Sequence, residues 1–189
     1  MVVTRMLRSL AASAMVVTLA ACAVAPTPAP MSSSESFQRS GRFALSVDRA
    51  DGSKDAVQGG FVWQQTAQQL QLDLNNPMGT VLARVTVTDQ GARLQHPNGE
   101  IEEAASPDQL VEQLIGYVIP VEGMRDWLKG QTGSRPVSDL QQEQQRPSYF
   151  QQDGWRVRMQ RYDDLGPRLL QMNRNQAQQA ISVRVVVDY

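Results

Sequence analysis

Hydrophobic and polar residues alternate along most of this chain, and the alternation gives way to a helical period only once. Phe43, Leu45 and Val47 alternate with Arg42, Ala44 and Ser46, which is the period of a strand with one buried face. Asp51, Gly52 and Ser53 mark a turn, after which Phe61 and Trp63 share a face. Leu70, Leu72 and Leu74 define a third strand that stops at Asn75-Asn76-Pro77-Met78-Gly79, because proline cannot donate to a ladder. Ala83, Val85 and Val87 carry a fourth strand, Leu94 sits on a short fifth, and Pro97-Asn98-Gly99 reads as a hairpin leading into Ile101. The first half is therefore expected to be an antiparallel meander that begins near Phe37.

At Ser106 the period changes. Ser106-Pro107-Asp108-Gln109 resembles a capping box with proline at the first helical position. Leu110, Val111, Leu114 and Ile115 then form one apolar stripe, and Gly116 stands where that helix ends. A second short helix is expected over Glu122 to Leu128, with Met124, Trp127 and Leu128 on one face. Gln131 to Gln145 are polar without apolar periodicity and read as a long surface loop. Alternation resumes in Trp155, Val157 and Met159, in Leu170 and Met172, and in Ile181, Val183, Val185 and Val187. The fold class expected is mainly β with two or more short helices: a curved sheet or open barrel able to enclose an apolar ligand.

The N-terminus follows a different logic. Arg5 and Arg8 precede an apolar stretch from Leu10 to Ala20 that is too short to span a bilayer, the pattern of a secretory signal. It closes on Leu19-Ala20-Ala21-Cys22, which looks like a bacterial lipobox and makes Cys22 the expected lipid attachment point. Three acyl chains exceed the two signals that stable anchoring requires, at roughly 0.8 kcal/mol per buried methylene. An ordinary cleavage site and a lone buried thiol are the competing readings of Cys22. Ala23 follows it where many inner-membrane lipoproteins carry Asp, which implies the periplasmic face of the outer membrane. Pro26, Pro28 and Pro30 lie in a Pro/Ala/Ser-rich stretch that reads as an extended tether. The expected organisation is a signal peptide over 1–21, the lipidated cysteine and tether over 22–36, and one folded domain over 37–189.

Removing the first 21 residues leaves 168 and takes away Arg5 and Arg8 but no acid, so 16 basic side chains face 19 acidic ones, a net charge of −3. That balance does not suggest a nucleic-acid partner. With Cys22 as the sole cysteine, no intramolecular disulfide is available and stability must come from packing. His96 is the sole histidine and sits before Pro97, where a surface position is expected. Neither a His/Cys metal cluster nor a histidine-dependent triad can be assembled, and no cofactor is expected. Phosphate-cradling glycine loops and nucleophile elbows are missing from the sequence. Glu102-Glu103 and Asp163-Asp164 are read as adjacent strand residues pointing to opposite faces, hence not a paired-carboxylate site. No catalytic residue is expected.

Five segments in order resemble one family. They are Ser40-Gly41-Arg42-Phe43-Ala44, Gly60-Phe61-Val62-Trp63-Gln64-Gln65, Asn76-Pro77-Met78-Gly79, Trp127-Leu128-Lys129-Gly130, and Gly154-Trp155-Arg156-Val157 followed by Tyr162. Together behind a lipobox they are similar to the LolB family of outer-membrane lipoprotein receptors and insertases. The resemblance implies an incomplete antiparallel barrel covered by helices around an apolar cavity for acyl chains. It implies a protein that accepts client lipoproteins from the periplasmic carrier LolA and releases them into the inner leaflet of the outer membrane, meeting its phospholipid as a monomer and without nucleotide hydrolysis. A lipid-anchored periplasmic protein that binds another hydrophobic ligand without transferring it is the alternative. Candidates for the cavity wall are Phe43, Trp63, Leu72, Leu74, Val85, Leu94, Leu114, Trp127, Val157 and Met159, each of which could equally be plain core. Met78, beside Pro77 and Gly79, is an apolar residue in a polar turn. The family carries Leu at the matching position of a loop that engages the membrane, so Met is a departure that keeps an unbranched apolar reach.

Overall fold

The computed structural model describes residues 36–188. Six strands come first: β1 (Phe37–Arg49), β2 (Lys54–Gln65), β3 (Leu70–Asn75), β4 (Val81–Thr88), β5 (Gly91–Gln95) and β6 (Ile101–Ala104). Helices α1 (Pro107–Ile115) and α2 (Val121–Trp127) follow, and then β7 (Ser138–Glu143), β8 (Arg146–Gln152), β9 (Trp155–Tyr162), β10 (Pro167–Gln176) and β11 (Gln179–Val187). All eleven strands form one open antiparallel sheet in the order β6-β5-β4-β3-β2-β1-β11-β10-β9-β8-β7. The expected meander of the first half is present, beginning at Phe37. The sheet does not close, because β6 and β7 are its two edges.

Alternation sets which face is buried. Trp63 on β2 pairs with Leu72 on β3, Leu72 with Val85 on β4, and Val85 with Leu94 on β5, so one apolar row crosses four strands. Across the other half of the sheet Phe43 pairs with Val185, Val185 with Leu170, and Leu170 with Met159. The same inner face buries Trp63, Trp127 and Trp155 completely. Each of these removes enough area from water for about 4 kcal/mol or more of transfer free energy. Helix α1 starts as its sequence implies, with the Ser106 hydroxyl accepting from the Gln109 N–H, Pro107 at the first position and Gly116 closing it at φ 79°. Because β6 and β7 are opposite edges, the connection that carries both helices crosses the sheet, and α1 packs against β4, β5 and β6.

Three readings of the sequence are corrected. Gln131 to Gln145 is not a continuous surface loop, for its second half forms β7 and the β7–β8 turn. All six β7 residues are exposed, so this edge strand lacks the alternation by which strands are recognised. Asp163 and Asp164 lie in the β9–β10 connection rather than on a strand. His96 is half-buried, with its imidazole paired to the Glu102 carboxylate.

Asp163 instead caps the most deeply buried charge. Arg39, 1% exposed, points from β1 into the core. Its Nη1 donates to Asp163 Oδ2 at 2.8 Å and its Nη2 to the Pro167 carbonyl at 3.2 Å. Asp163 Oδ1 also accepts the N–H groups of Leu165 and Gly166, so a single carboxylate organises the turn and neutralises the guanidinium. The Arg39 hydrogen bond, foremost, holds the Asp163 carboxyl below its ordinary range. That contribution to stability is complete above the ordinary carboxylate pKa and is lost as pH falls through the depressed one. Asp163→Ala strands a buried cation and should cost about 3–5 kcal/mol in urea unfolding. Arg39→Met should cost less, because the partly exposed Asp163 can rehydrate.

Candidate functional site

The β3–β4 turn is built by one side chain. Asn76 Oδ1 accepts the N–H groups of Met78 at 2.9 Å and Thr80 at 3.0 Å, while the Asn76 N–H donates to the Thr80 carbonyl and the Gly79 N–H to the Asn76 carbonyl. Gly79 takes φ 88°, a conformation that favours glycine. These bonds hold the turn while Met78 makes no use of its side chain within it, leaving Met78 89% exposed. Val81 and Leu82, at the start of β4, are also exposed, so the tip has an apolar shoulder.

On the inner face, an apolar pocket lies between the helices and the strands. Phe43, Leu72 and Leu74 line it from the sheet, together with Phe61, Val183 and Val185, while Val111, Ile115, Val121 and Met124 line it from α1 and α2 and Ile119 from the link between them. The pocket has a cavity volume of only about 40 Å³, well below the roughly 150 Å³ of an apolar cavity that holds a benzene molecule. Of the residues expected to line a cavity, it brings together Phe43, Leu72 and Leu74. Trp63, Val85, Leu94, Trp127, Val157 and Met159 are buried in the surrounding core, and Leu114 packs partly buried against it. Gly59 explains how Phe43 reaches this position: a Cβ there would stand 3.1 Å from the Phe43 ring and 2.3 Å from the Asn75 carbonyl oxygen.

Two fastenings hold the helical crossing to the sheet. Trp127 at the end of α2 donates from Nε1 to Gln152 Oε1 at 2.8 Å and meets Phe150 edge-on at 5.8 Å. The buried Gln152 spends its amide N–H groups on the Thr132 and Arg135 carbonyls, so the segment after α2 is tied to β8. The second fastening is Tyr117, in the link between α1 and α2. Its hydroxyl donates to Asp55 on β2 and accepts from Arg49 on β1, and Arg49 also donates to Asp55. Hydrogen bonding from Tyr117, then from Arg49, holds the Asp55 carboxyl below its ordinary range, while the bond to Asp55 pushes the Tyr117 phenol up. Nothing in the sequence alone marked this trio, because Tyr117 lies 68 residues from Arg49 and 62 from Asp55.

Among the described residues no group of three or more His, Cys, Asp or Glu could hold a metal ion, and no helix is long and apolar enough to cross a membrane. Cys22, with 1–21 and most of the expected tether, lies outside the described residues.

The sequence model of the family described as "Outer membrane lipoprotein LolB" matches residues 35–189. Among curated relatives, the outer-membrane lipoprotein LolB of Bordetella petrii is 42% identical over 171 residues, covering 89% of this chain and 86% of its own. The protein of the same name from Cupriavidus necator is 38% identical over 157 residues, 81% of this chain and 79% of its own. That of Cupriavidus metallidurans is 37% identical over 183 residues, 90% and 89% of the two chains.

The Tyr117 fastening carries a sign with pH. A depressed Asp55 supports the bond above the ordinary carboxylate range, and a raised Tyr117 supports it below the ordinary phenol range. The link should be held fast between those limits and loosen outside both. At neutral pH Tyr117→Phe should leave the sheet intact while amide hydrogen exchange across 116–120 accelerates. Unchanged exchange there would mean that packing alone holds the link.

Proposed function

The chain belongs to the outer-membrane lipoprotein LolB family, and from that membership we propose how its described residues carry lipoproteins from the periplasmic carrier LolA into the outer membrane. Its role is lipoprotein localisation at the periplasmic side of that membrane. In this reading residues 1–21 are a signal peptide, Cys22 carries the acyl anchor, and 22–36 are the tether of a monomeric domain. No bond in the client is made or broken. The client's acyl chains move from carrier to pocket to bilayer down a gradient of apolar contact.

Size decides how the pocket works. Each acyl methylene shielded from water is worth roughly 0.8 kcal/mol, but the present room of about 40 Å³ accommodates almost none of a chain. An arriving chain therefore enters between sheet and helices, displacing Val111, Ile115 and Met124 from the strands they face. The cost of parting that contact is returned when the chain leaves, so the pocket grips cargo less tightly than a bilayer, where no protein contact has to be broken. This gives a direction to transfer without an external source of energy.

The observation that carries the reading is Met78, an apolar side chain held 89% exposed by a turn whose backbone N–H groups at Asn76, Met78, Gly79 and Thr80 are all internally bonded. Such a tip enters the headgroup region of a bilayer without exposing an unpaired N–H. β3 runs in the direction of β1, and Asn75 pairs with Gly60, which pairs with Arg42, so the tip projects away from Phe37. Residues 22–36 reach about 50 Å at full extension, enough for an anchored domain to bring that tip to the same bilayer.

Met78→Asp should leave urea stability and acceptance from loaded carrier near wild type, yet slow delivery to liposomes at least about tenfold. A charge at the bilayer centre costs roughly 2.5–3.5 kcal/mol and less near the interface, and 1.4 kcal/mol is tenfold. Met78→Leu should deliver normally. Ile115→Glu, at a half-buried pocket position, should instead weaken saturable binding of an apolar dye and acceptance from the carrier. Delivery by Met78→Asp at the wild-type rate would reduce the tip to a turn residue. A domain that binds dye but accepts nothing from the carrier would favour a ligand-binding lipoprotein without transfer.

A further inference from the structure

The outer face of the sheet, turned away from the helices, carries arginines that the fold does not neutralise. Six other arginines meet an acid, Arg39 with Asp163, Arg42 with Asp188, Arg49 with Asp55, Arg84 with Asp73, Arg93 with Glu103 and Arg135 with Asp153, while Arg146 and Arg168 are bonded to backbone carbonyls and Arg174 lies over the Trp155 ring. Arg158 and Arg184 have no hydrogen-bond or ion-pair partner among the described residues, and Arg156 donates only to the Asn175 amide oxygen. Strand register brings these three together. One row reads Ala44, Arg184, Gln171, Arg158 and Tyr149 across β1, β11, β10, β9 and β8. The next reads Ser46, Ser182, Asn173, Arg156 and Gln151 on the same strands. At about 4.8 Å between strands, Arg184 and Arg158 stand about 10 Å apart, and Arg156 lies about 7 Å along β9 from Arg158.

Between the guanidinium groups the floor is amide and hydroxyl. A recess of about 420 Å³ is lined by Tyr149, Arg156, Arg158, Gln171 and Asn173, and a second of about 410 Å³ shares Gln171 and Asn173 and includes Ser182 and Arg184. Asp48, on the outer face of β1, is held by Lys54 at 2.8 Å, and Asp139, which accepts only from the neutral Gln151 amide, leaves the three arginines in excess by two charges. None of the exposed large hydrophobic side chains among the described residues lies on either row. On a chain whose net charge is negative, a polar face with arginines in excess and no apolar anchor fits an anion-bearing surface that is touched and released.

We propose that this outer face rests on the anionic phospholipid headgroups of the membrane that holds the protein. The inference rests on the family reading for the presence of that membrane, and on charge complementarity and chain length for the contact. Guanidinium groups pair with phosphate oxygens, and the amides and hydroxyls between them supply further donors. Phe37, where the tether enters β1, lies seven residues or about 23 Å along that strand from Ala44, well inside the roughly 50 Å reach of residues 22–36. A partner this close is met at high effective concentration, so three weak contacts suffice. In this resting orientation the inner face with its helical crossing looks into the periplasm, open to a carrier. Delivery then requires the domain to roll until Met78 meets the bilayer.

The test uses the full lipidated chain, whose acylated Cys22 leaves an introduced Ala44→Cys as the labelling site. A fluorophore there should be quenched by headgroup nitroxides in phosphatidylethanolamine vesicles containing phosphatidylglycerol, and much less in vesicles of phosphatidylcholine alone. About 0.5 M salt should abolish the difference. Each of Arg156→Gln, Arg158→Gln and Arg184→Gln should lower the docked-to-undocked ratio about fivefold, with stability and delivery to neutral vesicles unchanged. Equal quenching in both vesicle types, or in the triple variant, overturns the proposal. So does displacement of the label from anionic vesicles by low concentrations of poly-L-glutamate, which would assign the face to an acidic protein. Carrier-to-domain transfer is measured on the same samples: its failure in the wild type would sink the functional reading, while the quenching still judges this face.

Discussion

Everything on the inner face follows from the pairing of β1 with β11. Gly41 to Arg49 run opposite Val187 to Gln179 without interruption, and this ladder joins two meanders that would otherwise be separate sheets. Once it forms, β6 and β7 become opposite edges, and the chain between them has no route except across the sheet. Helix α1 therefore packs against β4, β5 and β6 because connectivity brings it there, and its apolar stripe makes that contact favourable. A segment held by its two ends and by local bonds is suited to parting from the sheet and returning.

The inner face is unevenly secured. Near β8 the crossing is tied by Trp127, Phe150 and Gln152, all buried, and beneath the β9–β10 turn Arg39 and Asp163 lock β1. The far side depends on an exposed trio of Arg49, Asp55 and Tyr117. Buried polar contacts resist opening, because parting them leaves desolvated groups unpaired, whereas exposed ones exchange with water at little cost. The pocket lies toward the weaker side, so the physical expectation is a crossing that swings about its α2 end.

Much of this was legible in the sequence, because burying one face of a sheet writes itself as period two. The strands from β1 to β5 and from β9 to β11 are all of that kind, and the Ser106 cap and the Gly116 stop were legible through helix-end chemistry instead. β7 was not legible, since an edge strand exposed on both faces has no apolar signature. The pocket was only partly so: Phe43, Leu72 and Leu74 were named, but alternation marks inward-facing residues alike and cannot separate Phe61 and Val183, beside empty space, from Val85 and Met159, within the packed core. Arg39 shares the parity of Phe43 and Leu45, and a charge on the apolar face of a strand was the signal of a buried ion pair. Recognising Tyr117 required the fold itself, since its partners precede it by 68 and 62 residues.

The same β1–β11 ladder brings the two ends of the domain together. Asp188 donates its N–H to the Ser40 carbonyl at 2.9 Å, so the end of the described chain lies beside the start of β1. A short bridge between these points would make the domain a closed ring without moving a strand, and new ends opened at the exposed Gln144-Gln145 turn would leave the helical crossing and the Asn76 turn intact. The domain can thus be suspended from either terminus at one corner, and its mechanics are independent of which end of the gene encodes the attachment.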